Sequence, residues 1–100
     1  MDTQKKIPAT HPGEILRVEF LDPLGLSQSE LARQLHVDKR RVNELVHGKR
    51  AVTADTANRL AAFFGTTAAF WLNMQTRYEL DIAEDEAKAI REQITPYEAA

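Results

Sequence analysis

Residues 27–48, SQSELARQLHVDKRRVNELVHG, constrain the fold of this chain more than any other stretch. Ser27 and Glu30 form a capping box that predicts the start of one helix, and Asp38 is a favoured N-cap residue for another. Gly48 predicts the end of the second helix, because glycine adopts the left-handed conformation at little cost. Each predicted helix carries one apolar stripe, made of Leu31, Ala32 and Leu35 in the first and of Val42, Leu45 and Val46 in the second. Two short helices joined by a turn of about four residues are typical of a helix-turn-helix unit.

The second helix of this pair presents side chains that suit the edges of DNA bases. The residues outside its apolar stripe are Lys39, Arg40, Asn43, Glu44 and His47. Arg and Lys pair with guanine, Asn pairs with adenine, and Glu accepts from N4 of cytosine. Residues 30–50 contain six Lys or Arg and three Asp or Glu. Small helical domains that bind no DNA also expose basic residues on paired helices, so helix pairing alone leaves that alternative open.

The overall charge fits a DNA-binding surface only when the chain is divided. The net charge is −2, but residues 1–65 carry ten Lys or Arg and eight Asp or Glu, whereas residues 66–100 carry three and seven. Salt screens charges beyond about 8–10 Å, so binding depends on the local charge. The first part is therefore suited to an anionic partner, and the second part is suited to a different one.

Length and composition point to one cytoplasmic domain. The 100 residues are enough for a single modest core. The chain has no cysteine, which excludes disulfides and thiolate chemistry. No apolar run approaches the roughly 20 residues of a membrane span. The beginning, MDTQKKIPAT, lacks the apolar segment of a signal peptide.

The rest of the chain is predicted to form further helices. HPGE at residues 11–14 predicts a helix start with proline in the first turn, and Asp22-Pro23 predicts its end. A helix between Thr53 and Gly65 has apolar residues at helical spacing, and Thr67 caps another. We therefore predict an all-α, five-helix domain over residues 11–80, preceded by a flexible arm of residues 1–10 and followed by an acidic helical extension of residues 81–100.

The helix after Thr67 carries a stripe of large side chains. The stripe consists of Phe70, Trp71, Met74 and Tyr78. Such a stripe at helical spacing most often lies in a core. Its place after a four-helix unit also makes it a candidate dimer interface.

Several separate blocks resemble the HigA-type antitoxins, which are members of the phage-repressor-like (XRE) helix-turn-helix group. The blocks are HPGEIL (11–16), PLGLSQSELAxxL (23–35, where x stands for residues outside the resemblance), RRVNELVHGKRAVTADTANRLAAFFGT (40–66) and FWLNMQ (70–75). The resemblance implies a five-helix fold, a homodimer, and binding to a palindromic double-stranded operator as a repressor of the protein's own operon. It also implies a protein partner, a HigB-type toxin that cleaves messenger RNA and that the antitoxin holds inactive.

The resemblance assigns candidate DNA contacts. The candidates are Gln28 for a phosphate, Lys39, Arg40 and Glu44 for base edges, Arg41 and Asn43 for either, and Lys49 and Arg50 for the DNA backbone. Arg40 is the preferred base reader, because it lies early in the helix and its planar fork suits guanine. Glu44 either reads a base or orients Arg40 or Lys39 through a contact four residues away.

A toxin of this kind is a small basic protein, so an acidic surface is a candidate docking site. The acidic residues that would form it are Asp81, Glu84, Asp85 and Glu86. The arm and the first helix remain alternatives.

Two other function classes are alternatives to an antitoxin. An enzyme is disfavoured, because His11, His36 and His47 show no HExxH spacing and the chain has neither a phosphate-binding glycine-rich loop nor a nucleophile-elbow serine. We therefore predict no catalytic residue, cofactor or metal. A regulator of the same fold without a toxin stays open, and a neighbouring gene for a basic protein would favour the antitoxin.

Overall fold

Six helices and no strand make up residues 9–98, the part of the chain that the computed structural model describes. The first helix, α1, consists of Pro12–Ile15, a π-helical stretch Leu16–Leu21 and a last turn Asp22–Leu24. The others are α2 (Gln28–Leu35), α3 (Lys39–Val46), α4 (Ala54–Phe64), α5 (Ala68–Ile82) and α6 (Glu84–Gln93). The predicted all-α class is confirmed, with α6 in the predicted extension.

The sequence predicts an N-terminal arm of residues 1–10 and a domain boundary at residue 80. Residues 1–8 of the predicted arm lie outside the described residues. Helix α5 runs on to Ile82, so the predicted boundary at residue 80 falls inside a helix. Within residues 9–98, no helix combines the length and the apolar character that a membrane span requires.

Side chains cap three helices at the residues that the sequence predicts. The hydroxyls of Ser27, Thr53 and Thr67 each accept a hydrogen bond from the backbone N–H three residues later, at 3.0, 3.4 and 3.1 Å. The carboxylate of Glu30 bonds to the side chains three and four residues further along α2. The serine half of the predicted capping box is thus confirmed, whereas Glu30 braces its own helix.

The prediction that α1 ends at Asp22-Pro23 is wrong. The backbone N–H of Asp22 donates to the carbonyl of Arg17, five residues back, because the helix has widened to π geometry. A proline ring in an α-helix collides with the carbonyl four residues back and has no N–H to donate. The wider turn directly before Pro23 lets the helix continue for another turn. The helix ends at Gly25, whose φ of 61° is left-handed.

Trp71 lies at the centre of the core. It is completely buried, and its indole Nε1 donates to Oγ1 of Thr66 at 2.8 Å. The ring of Phe20 from α1 lies 5.1 Å from it, centroid to centroid. The aliphatic side chains that complete the core are Leu16, Leu21, Leu31, Ala32, Leu35, Val42, Leu45, Val46, Val52, Ala57 and Leu60. Both predicted stripes of the helix-turn-helix unit are therefore buried.

The start of α1 is in close contact with the end of α3. Gly13 is buried, and a Cβ built on it would lie 1.7 Å from the backbone oxygen of Leu45. His11 caps α1 by accepting a hydrogen bond from the Gly13 N–H at Nδ1, at 2.8 Å. The His11 ring also meets the ring of Tyr78 from α5 edge to face, 4.9 Å between centroids. The start of α1 therefore packs on both the end of α3 and α5.

Candidate nucleic-acid interface

A tight turn sets the angle between α2 and α3. His36 takes the left-handed conformation, with φ 59°, and His is one of the residues that tolerate it. The N–H of Val37 then donates to the carbonyl of Ala32 at 3.1 Å. Asp38 has the extended backbone of an N-cap residue, although its side chain makes no capping bond. The polar side of α3 is left on the surface.

Glu44 joins two arginines on this surface. Its Oε2 accepts a hydrogen bond from Nε of Arg40 at 2.9 Å, and its Oε1 accepts from Nε and Nη2 of Arg50 at 3.0 and 2.8 Å. The hydrogen bond from Arg40, followed by that from Arg50, holds the pKa of the Glu44 carboxyl below its usual value. The Arg40 side chain remains 82% exposed, whereas that of Glu44 is 26% exposed. Glu44 is therefore ionised at neutral pH and lies between two cations.

Gln28 and Asn43 connect the two helices of the unit. Nδ2 of Asn43 donates to Oε1 of Gln28 at 3.0 Å. One residue begins α2 and the other lies in the middle of α3, so their side chains present a continuous polar surface. The structure thus brings the predicted phosphate contact beside the predicted base readers.

Lys39 and Lys49 flank this surface at the two ends of α3. Both are exposed, and among the described residues neither forms an ion pair with a carboxylate. An unpaired surface ammonium is free to exchange its counterion for a phosphate. We call the group of Gln28, Lys39, Arg40, Asn43, Glu44, Lys49 and Arg50 the α3 face.

Arg41 faces α4 rather than the α3 face. Its Nη1 donates to Asp55 at 2.8 Å and lies 3.5 Å from the hydroxyl of Thr56, and its side chain is 31% exposed. Asp55 also accepts from Nε of Arg59 at 2.9 Å, and Arg59 then donates to the carbonyl of Leu35 at 2.9 Å. The hydrogen bonds from Arg59 and from Arg41 lower the pKa of the Asp55 carboxyl. This network braces α3 against α4, and sequence reasoning missed it although Asp55 and Arg59 have the spacing of a helical ion pair.

The predicted dimer stripe lies mostly within the protomer. Trp71 fills the core, so it is not available to a second copy. Tyr78 packs on His11, and Met74 is half-buried against the core. Of the four stripe residues, Phe70 is the most exposed, at 40%. The aromatic stripe forms core because α5 packs across α1 and α4.

The acidic residues of the extension lie on the surface of α5 and α6. Asp81 pairs with Arg77 at 3.3 Å, and Glu84 pairs with Arg91 at 3.3 Å. The remaining two acidic residues, Asp85 and Glu86, are exposed in the first turn of α6. Helix α6 has no buried residue, so all of its sides are accessible.

Two features escaped sequence reasoning. Gln75 is 6% exposed, and its Oε1 accepts from the backbone N–H of Val52 at 2.8 Å, which ties the segment after α3 to α5. A buried glutamine on an otherwise apolar side of a helix is the signal that would have found it.

Several large apolar side chains near the end of the chain are exposed, namely Leu80, Ile82, Ile90, Ile94 and Tyr97.

Comparisons with known proteins agree with this geometry. A helix-turn-helix family model matches residues 19–71. Virulence-associated protein I of Dichelobacter nodosus is 53% identical over 87 residues, covering 87% of this chain and 81% of that protein. Antitoxin HigA-1 of Vibrio cholerae is 39% identical over 83 residues, covering 79% of this chain and 78% of that protein. The structure of the Pseudomonas aeruginosa antitoxin HigA with the higBA promoter superposes with a TM-score of 0.85 at 42% identity, over 90% of this chain and 99% of that one.

Proposed function

The chain belongs to the helix-turn-helix family, in its HigA-type branch, and we propose that it is a DNA-binding antitoxin that acts in the cytoplasm. It represses its own operon as a homodimer, neutralises a HigB-type toxin that cleaves messenger RNA, and carries out no catalysis itself. The observation that carries this function is the α3 face. It combines the exposed ammonium groups of Lys39 and Lys49 with the guanidinium of Arg40 and the amide of Asn43. The similarity to an antitoxin solved with promoter DNA supports it.

The residues of the α3 face divide into phosphate contacts and base contacts. Lys49 and Arg50 follow the helix and suit the DNA backbone, and Gln28 suits a phosphate at the start of α2. Arg40 and Asn43 lie on the polar side of α3, where an Arg reads guanine and an Asn reads adenine in the major groove. Lys39 stands at the first turn of α3 and suits either a base or a phosphate. Arg41 supports α3 through Asp55 and makes no direct contact with the DNA in this arrangement.

A homodimer gives such a small interface enough contacts. One copy of α3 reaches only a few base pairs, and two copies related by a two-fold axis enter successive major grooves about 34 Å apart. The operator is therefore expected to be palindromic. Phe70 is the stripe residue left for the dimer interface, and the exposed apolar side chains of α5 and α6 offer further area.

The toxin is proposed to dock on the acidic end of the chain. Asp81, Glu84, Asp85 and Glu86 are exposed or half-buried on α5 and α6. An RNA-cleaving toxin must bind an anionic substrate, so its RNA-binding surface is basic. That surface is complementary in charge to these carboxylates. The two proposed partners then bind different segments of the chain, the DNA on α3 and the toxin beyond residue 80.

Co-expression with the product of the adjacent gene, followed by a gel shift on the upstream DNA, tests this function. We expect a stable complex whose partner arrests growth when it is expressed alone. Arg40→Ala should weaken the shift about 10-fold or more, since each Arg–guanine pair contributes roughly 1–3 kcal/mol of discrimination. Arg77→Ala is the matched control, because Arg77 also makes an ion pair four residues along its helix but lies on α5. DNA binding without a protein partner would indicate an orphan regulator, and binding to neither would refute the proposal.

A further inference from the structure

Glu44 is an unexpected residue on a surface that meets DNA. A carboxylate there repels the phosphates, and neutralising or removing it would strengthen binding to DNA of any sequence. In the simplest explanation Glu44 accepts a hydrogen bond from a cytosine. Arginines already occupy most of its acceptor positions, since Oε1 accepts two hydrogen bonds and Oε2 accepts one, at 2.8–3.0 Å.

The hydrogen bond from Arg40 to Glu44 does not use the terminal amino groups of the Arg40 guanidinium. Arg40 bonds Glu44 through Nε, and within the described residues its two terminal amino groups have no partner. These two groups are the ones that donate side by side to O6 and N7 of guanine in an end-on contact. The bond also removes rotational freedom from a long side chain before the DNA arrives, which lowers the entropic cost of binding the base.

Arg50 is held in a different way. It uses both Nε and Nη2 for Glu44, and it lies beyond the end of α3, in the segment that leads to α4. Its Nη1 is the terminal amino group left for a further acceptor. A single free amino group suits a phosphate oxygen better than the two-point pattern of a guanine.

We propose, on the basis of the DNA-binding function proposed above, that Glu44 is a positioning residue that sets sequence specificity. It orients Arg40 for end-on contact with a guanine in each half-site and directs Arg50 to a neighbouring phosphate. Glu44 thereby lowers the affinity for non-operator DNA and raises the preference for the operator.

The test compares operator DNA with a scrambled duplex by fluorescence anisotropy at several salt concentrations, using the full chain. Glu44→Gln keeps the size and removes the charge. We expect it to bind scrambled DNA more tightly, with a steeper salt dependence, and to lose about 3- to 10-fold in the operator-to-scrambled ratio, a range set by the cost of ordering one free side chain. Glu92→Gln makes the same change on α6 and should leave the ratio unchanged.

A second variant separates charge from geometry. Glu44→Asp keeps the negative charge but shortens the side chain, so it does not reach both arginines. It should retain the weak binding to scrambled DNA of the wild type and still lose operator preference. Replacing each operator guanine by 7-deazaguanine, which lacks N7, should weaken wild-type binding at one position per half-site, and this effect should shrink in both Glu44 variants.

The outcomes distinguish this inference from the function on which it rests. If the wild type binds no upstream DNA, the proposed function itself fails. If the wild type binds but both Glu44 variants keep its operator-to-scrambled ratio, the positioning role is refuted. If the Glu44 variants bind all DNA more weakly and melt at a lower temperature, the role of Glu44 is structural and the inference is overturned. If they lose the preference for one cytosine of the operator, Glu44 reads that base directly, which also overturns the inference.

Discussion

Replacing Gly13 by alanine sets local helix preference against tertiary packing. Gly13 lies in the first turn of α1. In a helix, alanine is more favourable than glycine by about 0.8–1.0 kcal/mol, so helix propensity predicts a more stable protein. The structure predicts the opposite, because the new Cβ would lie 1.7 Å from the backbone oxygen of Leu45 and 2.6 Å from its carbonyl carbon.

The loss of stability in Gly13→Ala depends on how far the backbones of α1 and α3 would have to separate. Ordinary contact begins at 3.4 Å, so the start of α1 and the end of α3 would have to separate by 1.7 Å. A backbone carbonyl in a helix cannot rotate away as a side chain can. Overpacking of a close contact costs about 1–3 kcal/mol, and removal of a helix cap such as the one His11 makes costs about 1 kcal/mol. We expect Gly13→Ala to lower the free energy of unfolding by about 3 kcal/mol.

Thermal unfolding followed by circular dichroism measures this effect. For a domain of this size, 1 kcal/mol corresponds to a shift in Tm of about 4–8 °C, so the expected decrease is about 12–24 °C. Gly25→Ala is the control, because its φ of 61° is strained for alanine but, apart from its chain neighbours, no atom of the described residues lies within 4 Å of the new Cβ. It should cost about 1–2 kcal/mol. A Gly13→Ala protein with an unchanged or higher Tm would refute the close packing of α1 on α3.

Three further outcomes are expected. Burial lowers the pKa of His11 in the folded protein, so on acidification this histidine is protonated at a higher pH in the unfolded state than in the folded state. The free energy of unfolding therefore falls as the pH drops from about 7 through the lowered pKa. His11→Asn, which can still accept from the Gly13 N–H, should flatten the dependence of Tm on pH between pH 7 and 5, and an unchanged dependence would contradict the role of this histidine. Gln75→Met leaves the N–H of Val52 without its acceptor and should cost about 1–3 kcal/mol in urea unfolding, whereas wild-type stability would show that another acceptor replaces it. Lys49→Ala should reduce the salt slope of operator binding by about 0.9 for each phosphate that this lysine neutralises, with unchanged base preference, and altered preference would indicate that Lys49 binds a base instead.

The local features of this chain can be predicted from the sequence, because they depend only on residues that are close together in the chain. The hydroxyls of Ser27, Thr53 and Thr67 cap helices where the sequence predicts them, since a cap needs only a backbone N–H three residues away. The apolar stripes of α2 and α3 are buried as their periodicity indicates. The same periodicity leaves the polar side of α3 exposed, so the pattern selects Lys39, Arg40, Asn43 and Glu44, whereas Gln28, Lys49 and Arg50 were assigned through the family resemblance.

The amino-acid sequence by itself determined the helices, the helix-turn-helix unit and the candidate residues of the α3 face. Only the tertiary structure decided that Arg41 bonds to Asp55 on α4, that Glu44 holds Arg50 as well as Arg40, and that Trp71 fills the core of the protomer. Helical periodicity states which side of a helix is apolar, but it does not state which neighbouring helix covers that side. Contacts between residues distant in the chain depend on the packing of whole helices, and that packing sets the partners of each charged side chain.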